Sequence, residues 1–328
     1  MRVLYVGLLY NYGKEEEGFS YEHHNLEAGF HNCVDKGLFE ASFLYPDACQ
    51  NTHQSGLEFI IDGNIDAVFH VAFNESLDLP EPVAKFALKK DIPVIQWDCD
   101  TSWRFGNWIK QRKDRVSHFV TTHSATLPWY EKCGMNAIKS QWAGSPFYQH
   151  VPGTEKVHDL SFIGQKHGQH QTAEGMKFVR AEVIDAIMAA GLDIDLFGNY
   201  WDGYDNWQGY LTHFQRVVDV FNSSKICLNI ANPWHYGTMP QIKGRHFEIP
   251  QTGQFQLTTP ADDLESYFVP DKEIVVVRSA EEIIEKSRYY LEHEDEREAI
   301  AKAGRERMLK EHQWEHRFQH IFGELGLL

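Results

Sequence analysis

The stretch GRHFEIPQTGQFQLT, residues 244–258, sets one carboxylate, Glu248, among apolar neighbours and just ahead of Pro250 and Gly253. Burying a carboxylate is costly unless it is paired or hydrogen-bonded. Two cations, Lys243 and Arg245, stand within a turn of it. Cations near a helix N-terminus bind phosphate, because free N–H groups and the fixed charges act in the same direction. A carboxylate beside them suits another target. It can accept two hydrogen bonds from a vicinal diol, as the acidic residue of a dinucleotide site does with ribose. A phosphate clamp and a diol clamp together describe a nucleotide site. The plain alternative is a surface pair between Glu248 and Arg245 at i, i+3.

The first half offers groups for proton transfer: His23, His70, Asp98 and Asp100. His23 and His24 stand just before a helical pattern, and each His competes with a structural role. His167 and His170 have H-x-x-H spacing, but no cysteine or carboxylate stands nearby, so a solvent loop is expected rather than a metal site. The segment NYWDGYDNWQGY gathers Tyr200, Trp201, Tyr204 and Trp207 with Asp and Asn. Such a loop either stacks on a sugar or base through its rings or packs on itself.

These groups need elements to position them. Val3–Leu9, Ala41–Tyr45, Ala67–Ala72, Pro93–Trp97 and His118–Thr122 read as strands. Leu26–Lys36, Leu57–Asp62, Pro82–Lys90 and Ala125–Cys133 read as helices, the last with Ser124 as N-cap. Residues 143–158 hold two Pro and two Gly without periodicity and read as a linker. The alternation then restarts: strands Leu160–Gly164, Ile194–Gly198, Ile226–Ile230, Phe255–Thr258 and Ile274–Val277, and helices Phe178–Ala190, Ala280–His293 and Glu294–Lys310. Strands alternating with helices imply βαβ units and a parallel sheet. The expected architecture is therefore α/β, with two Rossmann-like domains over residues 1–150 and 151–328. Ligands bind beyond the carboxyl ends of such strands, and clefts between domains are favoured sites. Gly164, Lys166, Gly198, Tyr200, Trp201 and the long loop 231–244 should open on that cleft from one side. Residues 11–18, 70–74 and 98–103 should face them.

The totals fit. A 328-residue chain with 42% apolar residues can bury two ordinary cores. A net charge of −16 opposes general nucleic-acid binding. Five widely spaced cysteines without a CxxC suggest a reducing cytoplasm rather than a disulfide framework. Neither a signal-peptide layout nor a membrane-length apolar run is visible. A homo-oligomer stays open.

The stretches DLSFIGQ (159–165), SKICLNI (224–230), RHFEIPQTGQFQLT (245–258) and the run from Glu273 to Arg317 resemble the CgeB-type spore-maturation glycosyltransferases of the GT-B fold group. In the first half PVIQWDCDTSWRF (93–105) is similar to a family segment. The resemblance implies two Rossmann-like domains facing across a cleft, with a nucleotide-sugar donor, UDP-sugar favoured, in the second and an acceptor in the first. It also implies a last helix that crosses back to the first domain, and no further cofactor. Glu248 matches the donor-ribose glutamate, Arg245 the Arg before it, and Gly253 the Gly that ends the helix. The chain departs from the E-x7-E pattern of many retaining members, because Pro240 stands eight residues before Glu248. Pro250 implies a short or kinked helix.

Under this resemblance Lys166, Lys243 and Arg245 would stabilise the leaving diphosphate, and His23, His70, Asp98 or Asp100 would orient or deprotonate the acceptor. A rival lies in D-C-D at 98–100, an Asp-x-Asp of the kind that holds Mn²⁺ or Mg²⁺ in GT-A glycosyltransferases. D-I-D recurs within a strand pattern at 193–195, which weakens that rival, and no metal is expected. A fold of this kind could also serve a non-catalytic nucleotide-sugar-binding protein, or a GT-B epimerase or hydrolase, since fold does not fix function.

Overall fold

The computed structural model describes residues 1–72, 77–106, 108–166, 169–171, 177–211, 213–231 and 240–328. The chain forms two units, one of residues 1–141, 145–147 and 314–328, the other of residues 142–144 and 148–313.

The first unit begins with β1 (Arg2–Val6), a π-helical turn at His23–Glu27, α1 (Ala28–Asp35), β2 (Glu40–Leu44), α2 (Thr52–Asp62), β3 (Ala67–Val71) and α3 (Glu81–Lys89). It continues with β4 (Val94–Asp98), the short α4 (Thr101–Arg104), β5 (His118–Thr121), α5 (Leu127–Lys132) and β6 (Ala137–Lys139). The strands pair in parallel in the order β2-β1-β3-β4-β5-β6. β3 and β4 are buried at every position, as central strands covered on both faces should be. Asn51 starts α2 by accepting from Gln54 N at 3.1 Å. Pro82 lies in the first turn of α3, where a missing N–H is harmless. The cap expected at Ser124 is displaced. Residues Ser124–Thr126 form a 3-10 turn, and α5 starts at Leu127 because Pro128 suits its first turn.

The second unit contains β7 (His158–Ile163), β8 (Gln169–Gln171), β9 (Lys177–Val179), α6 (Arg180–Ala189), β10 (Ile194–Phe197), α7 (Phe214–Asn222) and β11 (Ser224–Asn229). After these come α8 (Arg245–Gln251), β12 (Gln256–Thr258), β13 (Val275–Val276), α9 (Ala280–Glu292) and α10 (Glu294–Glu311). Its parallel sheet runs β10-β7-β11-β12-β13 over a core that includes Leu160, Leu196, Ile226, Leu257 and Ile283. The helix expected from Phe178 starts instead at Arg180, since Lys177–Val179 pairs antiparallel with Gln169–Gln171. α7 was not among the expected helices. Its Phe214, Val217, Val218 and Phe221 recur at helical spacing and pack with Tyr148, Cys227 and Ile249. Ser279 opens α9 by accepting from Glu282 N at 3.1 Å, while the Glu282 carboxylate takes Arg278 N at 2.6 Å. That exchange closely follows a capping box.

The last helix, α11 (Trp314–Glu324), belongs to the first unit. Phe318 lies 4.3 Å from the Phe30 ring, and Trp314 lies 5.4 Å from Trp97. A Cβ on Gly29 would fall 2.3 Å from that of Trp314, so only glycine lets α1 and α11 approach this closely.

Each sheet reverses its strand order beside its first strand: between β1 and β3 in one unit, between β7 and β11 in the other. Open parallel sheets bind ligands at such reversals. Among the described residues no helix is long and apolar enough to cross a membrane.

Candidate functional site

In the second unit the reversal is bridged by one side chain. Arg180, the first residue of α6, donates from Nε and Nη2 to Ile230 O at 3.2 and 3.1 Å, and from Nη1 to Gln165 O at 3.0 Å. Its guanidinium thus joins the carboxyl ends of β11 and β7. Burial first, and the neighbouring Arg245 charge second, pull its pKa down to about 10. Asn229, the last residue of β11, is buried, and its side-chain Nδ2 has no hydrogen-bond partner among the described residues.

Arg245 opens α8 and lies 5.2 Å over the Phe221 ring. Its Nη1 stands 3.3 Å from Glu248 Oε2. The pairing expected as the plain alternative therefore exists, but it is not a surface pair: the Glu248 side chain is 3% exposed. Lys243 reaches Gln241 Oε1 at 3.3 Å. His246 fastens this segment to the sheet through Lys243 N at 3.1 Å and Thr258 Oγ1 at 3.2 Å. Burial lowers its pKa to about 4, so it stays neutral. α8 is short, as Pro250 implied. Most of the long loop before it, residues 232–239, lies outside the described residues, as do His167, Gly168 and residues 73–76.

At the end of β10, Gly198 adopts φ +133°, and a Cβ there would sit 2.3 Å from Gly164 O. Only glycine allows these two strand ends to meet. Lys166 N bonds Asn199 O at 3.1 Å, and its ammonium lies 4.8 Å over the Tyr204 ring. The aromatic segment that follows is mostly structural. Trp201 is fully buried between Phe162 and Tyr204 and donates its indole N–H to Gly164 O at 2.8 Å. Trp207 donates likewise to Gly198 O at 2.9 Å. Trp201 therefore does not offer the stacking face expected of it; Tyr200 and Tyr210, both about half-exposed, are aromatics of this segment left at the surface.

In the first unit two expected proton carriers are buried rather than open to solvent. His70 is buried, with Nε2 at 3.0 Å from Asp78, itself ion-paired to Arg112. Burial and the Arg112 and Arg115 charges hold its pKa well below the usual histidine range. Asp98 is 1% exposed and accepts from Gln96 Nε2 at 2.8 Å and Tyr130 OH at 3.2 Å. Both are buried in the sheet's polar interior. Asp100 is half-buried and stands before α4. The D-C-D pattern is thus divided between an interior and a partly open carboxylate. Among the described residues no group of three or more His, Cys, Asp or Glu is placed to hold a metal ion.

Burial raises Asp98 to a pKa of about 7. The folded state therefore binds a proton that the unfolded chain releases at lower pH. The associated stability is full below the ordinary aspartate range and is lost as pH rises through about 7. Each tenfold difference in proton affinity between the folded and unfolded states contributes about 1.4 kcal/mol. Asp98→Asn should remove this dependence. The melting temperatures of the two proteins should converge toward acid pH, and the variant should melt several degrees higher in mildly alkaline buffer. Parallel curves across the range would refute it.

His23 is a further candidate beside Asp100. Its Nδ1 is buried 3.1 Å from Glu27 Oε1, and Phe19 stacks on its ring at 4.6 Å. Glu27 is 2% exposed and also accepts from Tyr45 OH at 2.8 Å. Ser20 sets the turn by donating to Leu8 O at 2.6 Å and accepting from His23 N at 2.9 Å.

Residues 180–323 match a family model described as glycosyl transferase-like. Solved structures align over nearly the whole chain at low identity. A glycosyltransferase from Rickettsia africae gives TM-score 0.64 at 11% identity, covering 98% of this chain and 97% of that one. Sucrose-phosphate synthase from Thermosynechococcus elongatus gives 0.61 at 9%, covering 99% and 98%. HepE of Anabaena, solved in complex with UDP, gives 0.59 at 10%, covering all of both chains. No curated protein matches the chain by sequence. The fold is GT-B.

The matched region, 180–323, holds Gly198, Tyr200, Lys243, Arg245 and Glu248; Gly164 and Lys166 lie before it. It opens on Arg180, which sequence reasoning missed. The available signal was positional: a basic residue at the start of the first long helix after a Gly-ended strand. Glu27 was missed as well, although H-x3-E spacing puts it one helical turn after His23.

Proposed function

We propose that the protein transfers a glycosyl group from a nucleotide sugar, with a UDP-sugar favoured, to a hydroxyl acceptor. The observation that carries this reading is the Arg180 guanidinium bridging β7 and β11 where the strand order reverses, with the Arg245–Glu248 pair as its electrostatic neighbour. Burial, and then the neighbouring Arg245 charge, disfavour the charged form of Arg180; a bound anion offsets both, and a diphosphate supplies one. Arg180, Arg245 and Lys243 take the diphosphate, and the buried Glu248 takes the ribose diol. The bond between the anomeric carbon and the diphosphate oxygen breaks, the nucleoside diphosphate leaves with the electron pair, and the acceptor oxygen bonds to that carbon. The cations stabilise the growing phosphate charge. His23, oriented by Glu27, takes the acceptor proton.

The match to the glycosyl transferase-like model and the UDP bound by HepE support this reading. The narrower assignment, to the CgeB-type enzymes, rests on the resemblance of residues 159–165, 224–230, 245–258 and 273–317. The charge work falls to basic side chains, so transfer is metal-independent in this proposal. Five free cysteines accord with a cytoplasmic enzyme.

The test is a panel of UDP-, GDP-, ADP- and dTDP-sugars, with free nucleotide measured with and without acceptors. Acceptor-dependent release that survives EDTA supports the proposal. Release without acceptor indicates a hydrolase or epimerase, and tight binding without release a non-catalytic sensor. Loss of turnover in EDTA restores a metal.

A further inference from the structure

The surroundings of His23 carry more than a base. Phe19, 53% exposed, stacks on His23 at 4.6 Å with 23° between the rings, and on Tyr10 at 5.9 Å with 8°. Phe147, 40% exposed, lies 6.1 Å from His23 and 5.0 Å from His24. All belong to the first unit. The ledge is held in place. Asp47 accepts from Leu9 N at 3.1 Å and Tyr10 N at 2.8 Å, which fixes the chain as it leaves β1, and Tyr10 pairs with Phe19 across the loop. The ledge thus stands at the carboxyl end of β1, beside this unit's own reversal of strand order.

The charges around the ledge are unequal. The loop between Tyr10 and Phe19 exposes Lys14 but also Glu15, Glu16 and Glu17, and Glu22 follows. Among these residues the acidic groups outnumber the basic one. Exposed aromatic faces bind rings that present C–H groups, and a surrounding negative potential repels anions.

We propose that this ledge is the acceptor subsite and that it takes an uncharged ring bearing hydroxyl groups, a neutral glycoside, while excluding acceptors that carry a carboxylate or phosphate. The ring lies on Phe19 and Phe147, and one hydroxyl meets His23 on the side of the imidazole away from Glu27. The proposal rests on the glycosyl-transfer reading and names its second substrate.

The test is ligand-observed NMR titration of the full chain, with UDP present, using p-nitrophenyl β-D-glucopyranoside and p-nitrophenyl β-D-glucuronide. The two probes share an aglycone and differ by one carboxylate. The glucoside should bind at millimolar concentration and the glucuronide about tenfold more weakly. Phe19→Ala should weaken the glucoside about three- to tenfold, and Phe19→Trp should keep it. Replacing Glu15, Glu16 and Glu17 by glutamine should bring the glucuronide closer to the glucoside. Absent glucoside binding, equal binding of the two probes, or indifference to Phe19→Ala would each overturn the proposal. UDP affinity, measured in the same samples, keeps the two readings apart. If UDP binds and the ledge fails, only the acceptor class falls; if wild-type protein does not bind UDP, the glycosyl-transfer reading falls.

Discussion

Arg180→Lys should lower kcat/KM for a UDP-sugar by about two to three orders of magnitude, the range seen when one fixed donor to a developing oxyanion is removed. The reason is geometric. Three nitrogens of Arg180 are tied to Ile230 O and Gln165 O, so the guanidinium plane is locked across the two strand ends. A lysine ammonium is a point charge on a flexible stem and cannot bond both carbonyls in that fork. The charge stays but its position is lost. Freed carbonyls should also lower stability by about 1–3 kcal/mol, so rates belong well below the variant's melting temperature. Steady-state kinetics on folded protein measure the effect, and partial rescue of an Arg180→Ala variant by added guanidinium ion would tie it to the missing group. A kcat/KM within threefold of wild type would remove Arg180 from the diphosphate site.

Glu248→Gln should weaken UDP-sugar binding by about ten- to a hundredfold, as expected when a hydrogen bond to a charged group is lost. The amide keeps the side chain's size in a buried position and retains one acceptor oxygen, so the melting temperature should fall little. A sharper measurement compares UDP with 2′-deoxy-UDP by calorimetry. Wild type should prefer the ribose by about tenfold or more, and the variant should lose most of that preference. If both proteins discriminate equally, Glu248 holds Arg245 in place and does not touch the sugar diol. The observed 3.3 Å pair makes that outcome concrete.

The sequence by itself determined the class of fold. Apolar runs ending in glycine, alternating with amphipathic stretches, require parallel strands joined by helices, because each pattern has only one way to bury its face. Gly164, Gly198 and Glu248 could be read from local rules alone: glycine where two strand ends must meet, and a carboxylate too costly to bury without purpose. Lys243 and Arg245 followed from proximity to it. Tertiary structure decided everything that depends on distant partners. Arg180 acquires its role from carbonyls at positions 165 and 230, which no periodicity reports. Trp201 read as a binding ring and proved to be core, since an aromatic residue in a polar loop has the same letters whether its faces meet solvent or Phe162. His70 and Asp98 sit at strand ends like catalytic groups do, but neighbouring side chains close over them. Local chemistry writes which groups are present; burial and long-range hydrogen bonds, set only when the chain folds, choose which of them can reach a substrate.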